Sequence, residues 1–142
     1  MFHSTKQAAR VLGSAWHWPN FSLSELSCRC AGRFCDGAYW HSPSFLDRLQ
    51  GLRDRIGAPL RLSSAHRCPQ WNAWVGGAPL SQHKCMAVDI VIAAHDRHEL
   101  LHHARAVGFT GFGLAKSFLH LDQRVEPATW YYKGSRELWQ TL

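Results

Sequence analysis

Apolar positions along the chain recur with two different periods. Between residues 42 and 57, Phe45, Leu49, Leu52 and Ile56 fall on one helical face. Ser42 is a good N-cap, Pro43 suits the first helical position and Gly57 supplies a stop, so this stretch predicts a helix. A second helix is expected from Asp96, with Glu99 at capping-box spacing, to a stop at Gly108. Its buried side would be Leu100, Leu101, Ala104 and Val107. Period two takes over in residues 87–92, where Val88, Ile90 and Ile92 face one way and Ala87, Asp89 and Val91 the other. Residues 118–122 alternate in the same manner: Phe118, His120 and Asp122 share one face, Leu119 and Leu121 the opposite one. Weaker signals place strands at 59–63 and 112–114 and short helices at 5–12 and 69–75, the latter stopped by Gly76-Gly77. The aromatic run 16–21 reads as a linker and the cysteine-rich run 28–37 as a loop. The expected fold class is α+β, a small and mainly antiparallel sheet flanked by helices.

Composition bounds this picture. A chain of 142 residues suits a single domain, 1–142, and a hydrophobic share of 46% excludes intrinsic disorder. No apolar run reaches roughly 18 residues, so no membrane span is expected. The first residues lack an uninterrupted apolar stretch, so no signal peptide is expected either. Lys and Arg exceed Asp and Glu by 16 − 10 = 6, which suits an anionic polymer such as nucleic acid, an acidic membrane face or a bacterial cell wall. Seven tryptophans accompany scattered arginines, yet no nucleic-acid-binding motif does, and no nucleic-acid partner is expected. Most of these indoles read as core or groove lining.

Three groups of residues carry candidate chemistry. The first is His83, Asp89 and His120, two of them on apolar strands where an unpaired polar group would cost several kcal/mol. Two His and one Asp form a reasonable catalytic zinc set with a fourth position open. A core histidine and a strand-end aspartate satisfied by backbone would look the same. The second is His98-Glu99-Leu100-Leu101-His102, a match to the H-E-x-x-H zinc-protease signature. Its helix reads as amphipathic and superficial, Glu99 occupies a capping position, and no third ligand is evident. The third is the five cysteines, 28, 30, 35, 68 and 85. Four near one another would suit a structural zinc site, although the C-x-C-x4-C spacing is unusual; disulfides or reduced buried thiols fit equally.

Several stretches in order resemble one family. These are NFSLSELSCRC, FLDRLQGLRDRIG, PLRLSSAHRCPQWNAWVGGAPLSQH, AVDI, GFTGFGLAKSFLHLDQR and the following Trp130. Together they resemble the zinc D-alanyl-D-alanine carboxypeptidase-like peptidoglycan peptidases. That group includes phage endolysins and vancomycin-resistance dipeptidases, and the hedgehog signalling domain shares its fold. The resemblance covers about residues 20–132, with 1–19 as an N-terminal extension. It implies a hedgehog/DD-peptidase-like fold, one catalytic Zn²⁺ on His83, Asp89 and His120, and Arg67 as the clamp for a substrate carboxylate. Ser81 and Trp130 are implied to contact substrate, although Ser81 equally suits a turn cap.

Two departures from the family pattern stand out. The usual S-x-H-x-x-G-x-A-x-D places six residues between His and Asp; here five intervene and the Gly is absent. Either the loop closes differently with both ligands kept, or Asp89 is displaced; Cys85 is a remote substitute. Some members also carry a Glu three residues before the last zinc His, where this chain has Ser117. Asp122 is therefore the candidate general base, with orientation of His120 as the competing role.

The resulting expectation is a monomeric zinc metallopeptidase hydrolysing peptide stems of peptidoglycan. A phage or prophage endolysin would stay in the host cytoplasm until release to the cell wall. The alternatives are a non-catalytic wall- or partner-binding domain retaining the fold, and a zincin-type protease using His98, Glu99 and His102.

Overall fold

The structure is a computed structural model and describes residues 1–140. Among these residues the chain forms six α-helices and five strands in an α+β arrangement. The order is α1 (Thr5–Leu12), α2 (Leu23–Leu26), α3 (Pro43–Ile56), β1 (Leu62–Ser64), α4 (Pro69–Trp74), β2 (Val88–Val91), α5 (Arg97–Ala106), β3 (Gly111–Leu114), β4 (Phe118–Asp122), β5 (Ala128–Tyr131) and α6 (Arg136–Gln140). The strands lie side by side as β1-β2-β4-β3-β5. Every neighbouring pair is antiparallel except β3 and β5, which run parallel.

The long helices form where their local signals direct. Ser42 Oγ accepts the Phe45 N–H at the start of α3. Gly57 ends that helix in the left-handed region, at φ 70°, with its N–H on the Arg53 carbonyl. Phe45, Leu46, Leu49 and Leu52 are fully buried along its inner face. At α5 the Asp96 carboxylate accepts the N–H groups of His98 and Glu99, and Leu100, Leu101 and Ala104 turn inward.

The two faces of the sheet have different tasks. Val88, Ile90, Phe112, Leu114, Leu119 and Leu121 join the α3 and α5 side chains in one hydrophobic core. Burying each such aliphatic side chain contributes roughly 1.5–3 kcal/mol. The 1–19 segment belongs to this core too, through Ala8 and Trp18, and Phe2 exchanges both backbone hydrogen bonds with Tyr39. On the opposite face, Asp89 of β2 sits directly across from His120 of β4, and His120 across from Gly113 of β3.

Three elements escape the sequence pattern: α2, β5 and α6. The strand expected at 59–63 lies at Leu62–Ser64. The helix expected at 69–75 ends at Trp74.

Two glycines of β3 make room for the polar face. A Cβ at Gly111 would overlap the Asp122 carboxylate, and one at Gly113 would press on Tyr132, His120 and Trp130. Replacing Gly111 with Ala should therefore cost about 1–3 kcal/mol in urea unfolding. Gly13, with nothing within 4 Å of a Cβ and already in a right-handed helical conformation, should accept Ala at no cost.

Candidate metal centre

His83 stands on a short 3₁₀ turn, Gln82–Lys84, that opens with Ser81. Ser81 Oγ accepts the His83 N–H at 3.2 Å, so the serine shapes the turn that presents the imidazole. The shortened connection to Asp89 closes against the 65–67 segment. Arg67 N–H donates to the His83 carbonyl at 2.6 Å, and His66 Nδ1 donates to the Cys85 carbonyl at 2.6 Å. Burial lowers the pKa of His66, which keeps it neutral in that position. The five-residue spacing thus leaves His83 and Asp89 in contact, 3.0 Å apart from Nε2 to Oδ1. Cys85 is exposed and takes no part.

Asp89 and His120 come together through the β2–β4 register. His120 Nδ1 lies 3.0 Å from Asp89 Oδ1 and 3.1 Å from His83 Nε2. All three side chains are buried, each with under 7% of its residue surface exposed.

The tautomers follow from the outer partners. His83 Nδ1 sits 2.7 Å from the Ala65 carbonyl, which can only accept, so Nδ1 carries the proton. His120 Nε2 sits 2.7 Å from Asp122 Oδ2, which likewise accepts. In the neutral rings, the nitrogens left over are lone pairs, and both face the same Asp89 oxygen. Three acceptors that converge this closely repel one another unless a cation or a proton lies among them. Around a tetrahedral zinc with bonds near 2.0–2.2 Å, ligand atoms sit about 3.3 Å apart, close to the spacing seen. The donor set and its outer partners therefore fit a metal ion.

The electrostatics agree. Burial raises the Asp89 carboxyl, but a second ring proton on His120 or His83, standing where a cation would, outweighs it and holds the group well below the usual carboxylate range. Burial lowers His120, yet its bonds to Asp122 and Asp89 prevail and raise it. The site attracts positive charge.

Asp122 is not where a general base is expected. It has no exposed surface and contacts His120 on the side away from Asp89. Arg124 grips the same carboxylate with Nε at 2.9 Å and Nη2 at 2.6 Å. Despite the burial, these partners keep Asp122 ionised, well below the usual range. With both oxygens engaged, it is placed to orient His120 rather than to reach a substrate.

An open cleft of about 470 Å³ lies over His83, Asp89 and His120. Arg67, Ser81 and Trp130 line it, as do Gln82, Arg124 and Tyr132, which the sequence did not single out. Arg67 is held by Ser64 Oγ at 3.2 Å and Asn72 Oδ1 at 3.2 Å, with Nη2 3.8 Å from Asp89 Oδ2. Trp130 faces His120 at 5.3 Å between ring centres, and the Arg124 guanidinium covers the indole at 4.5 Å. Tyr132 directly follows β5, two residues after Trp130, and the two rings lie 6.4 Å apart.

The H-E-x-x-H stretch does not build a centre. His102 and Glu99 are exposed on α5, and the His98 ring meets Trp139 edge-on at 6.1 Å. Among the described residues, groups of three or more metal-capable side chains form at two places only: His83, Asp89 and His120, and a cluster of four cysteines.

A family model described as Peptidase M15 matches residues 19–122, a stretch that contains His83, Asp89, His120, Arg67, Ser81 and Asp122. No curated protein matches the chain. No described helix is long and apolar enough to cross a membrane. The buried His-Asp-His group, the α+β sheet that assembles it and the family match over most of the sequence agree: the chain belongs to the M15 family of zinc-dependent peptidases.

Proposed function

We propose that the chain hydrolyses peptide stems of bacterial peptidoglycan, with zinc held by His83 Nε2, Asp89 and His120 Nδ1. The observation that carries this is the convergence of three buried acceptors beneath an open cleft. Zinc held there supplies Lewis acidity and water activation. The chain's own residues supply the rest. Ala65 and Asp122 fix the two imidazole tautomers, and Arg124 holds Asp122 in place. Arg67, braced by Ser64 and Asn72, offers a guanidinium at the cleft wall for a stem-peptide carboxylate. Trp130 provides an apolar wall beside His120, and Ser81 retains its own O–H for a substrate carbonyl. The excess of basic side chains favours an anionic wall polymer, which suits an endolysin of phage or prophage type acting on the wall after release from the host cytoplasm.

A second reading has one observation in its favour. Among the described residues lining the cleft, Asp89 is the sole carboxylate, so no free acid stands ready as a base. A wall-binding domain that retains the metal would look like this. Digestion of purified peptidoglycan, with products identified by mass spectrometry, separates the two. A defined fragment that disappears with chelator and returns with zinc supports the peptidase. No product from folded, zinc-loaded protein supports the binding domain.

Asp122→Asn should lower zinc affinity about 10–100-fold, with activity recovered at saturating zinc, because it orients His120. Activity lost even at saturating zinc would make Asp122 the base after all. Arg67→Lys should lower kcat/KM about 10–100-fold on a stem peptide with a free carboxylate, and far less on its amide, when the two are assayed side by side.

A further inference from the structure

A second cluster lies apart from the cleft. Cys28, Cys30 and Cys68 are buried and Cys35 half-buried, and their four sulfurs all lie within 4.8 Å of one another. None is paired in a disulfide, and the Cys30 and Cys35 sulfurs are 3.5 Å apart. Four thiolates around a tetrahedral zinc, with bonds near 2.3 Å, would sit about 3.8 Å from one another. The observed group brackets that spacing.

Backbone hydrogen bonds add an independent sign. Every one of the four sulfurs accepts an amide N–H: Cys28 from Cys68 at 3.3 Å, Cys30 from Cys35 at 3.4 Å, Cys35 from Ala38 at 3.4 Å and Cys68 from Trp71 at 3.4 Å. A neutral thiol is a weak acceptor, and four oriented amides match the charge of thiolate better. The loop is shaped for this. Ala31 and Gly32 take left-handed conformations, at φ 57° and 84°, and Arg33 N–H closes the turn on the Cys30 carbonyl. The loop's own buried apolar cluster is small, comprising Cys28, Cys30, Cys68 and Ala38, flanked by Cys35 and Trp71. Arg29 and Arg33, within the same loop, offset the negative charge that four thiolates and one divalent cation would leave.

We propose that Cys28, Cys30, Cys35 and Cys68 bind a structural zinc ion as a tetrathiolate, distinct from the ion of the cleft. Binding releases the four thiol protons as four Zn–S bonds form. Three ligands come from the 28–35 loop, and the fourth, Cys68, caps the start of α4 beside Arg67. The ion therefore ties the loop to the helix whose Asn72 braces Arg67. Cys85, exposed and outside the cluster, remains a free thiol.

The test uses the full chain carrying His83→Ala and His120→Ala, which removes the cleft site. Elemental analysis and native mass spectrometry should find one zinc per chain. Iodoacetamide should alkylate Cys85 alone, and all five cysteines once a strong chelator has removed the metal. Cobalt in place of zinc should give the thiolate-to-metal charge-transfer absorption of a tetrathiolate. Cys30→Ser with Cys68→Ser should abolish the zinc and lower Tm by more than about 5 °C; should that variant fail to fold, the metal count on the cysteine-intact protein decides alone. A chain without zinc, or one whose mass is lower by two hydrogens per bond and whose cysteines resist alkylation until reduced, would overturn the proposal.

Discussion

Three buried acceptors that face one another at hydrogen-bond distance are the constraint around which this protein is arranged. His83 Nε2, His120 Nδ1 and one oxygen of Asp89 stand 3.0–3.1 Å apart. In the neutral rings the one proton of each is committed on the far side, to Ala65 and to Asp122. Such a group is costly in a buried site unless a cation joins it. Much of the surrounding structure serves to impose this arrangement: the turn at Ser81, the Arg67 and His66 bonds that close the short loop, and the Arg124 fork on Asp122.

The sheet imposes it through register. One row of facing residues crosses all five strands: Ser64, Asp89, His120, Gly113 and Trp130. In that row Ser64 braces Arg67, Asp89 and His120 are two of the three side chains that could hold a metal, Gly113 leaves space, and Trp130 forms the cleft wall. The neighbouring positions, Val88, Ile90, Leu119 and Leu121, point into the core. Slipping any strand by one residue would exchange ligands for aliphatic side chains, so the hydrophobic core and the metal centre fix the same register.

Much of this was legible in the sequence because its signals are local. Ser42, Pro43 and Gly57 bound α3 within the residues expected, and the alternation at 118–122 put His120 and Asp122 on one face. The elements that escaped depend on distant partners. The β5 strand pairs in parallel with β3 and is mostly half-buried, so its own pattern is faint. Helix α6 is held by Trp139, whose indole N–H reaches the Ala115 carbonyl. Helix α2 has a capping box, Ser22 with Glu25, but only four residues. Spacing could not show whether the short His83–Asp89 loop keeps both ligands, since that rests on bonds from the 65–67 segment. Nor could it reveal that Arg124 folds back onto Asp122, so that both carboxylate oxygens are engaged beside His120.

The most direct test of the central claim is a crystal structure of the zinc-loaded protein with anomalous scattering recorded at the zinc edge. The account expects a peak bonded to His83 Nε2, Asp89 and His120 Nδ1 at about 2.0–2.2 Å, with the His120 Nε2 bond to Asp122 intact. An anomalous map with no peak among these three side chains, or with His120 turned to bind through Nε2, would contradict it.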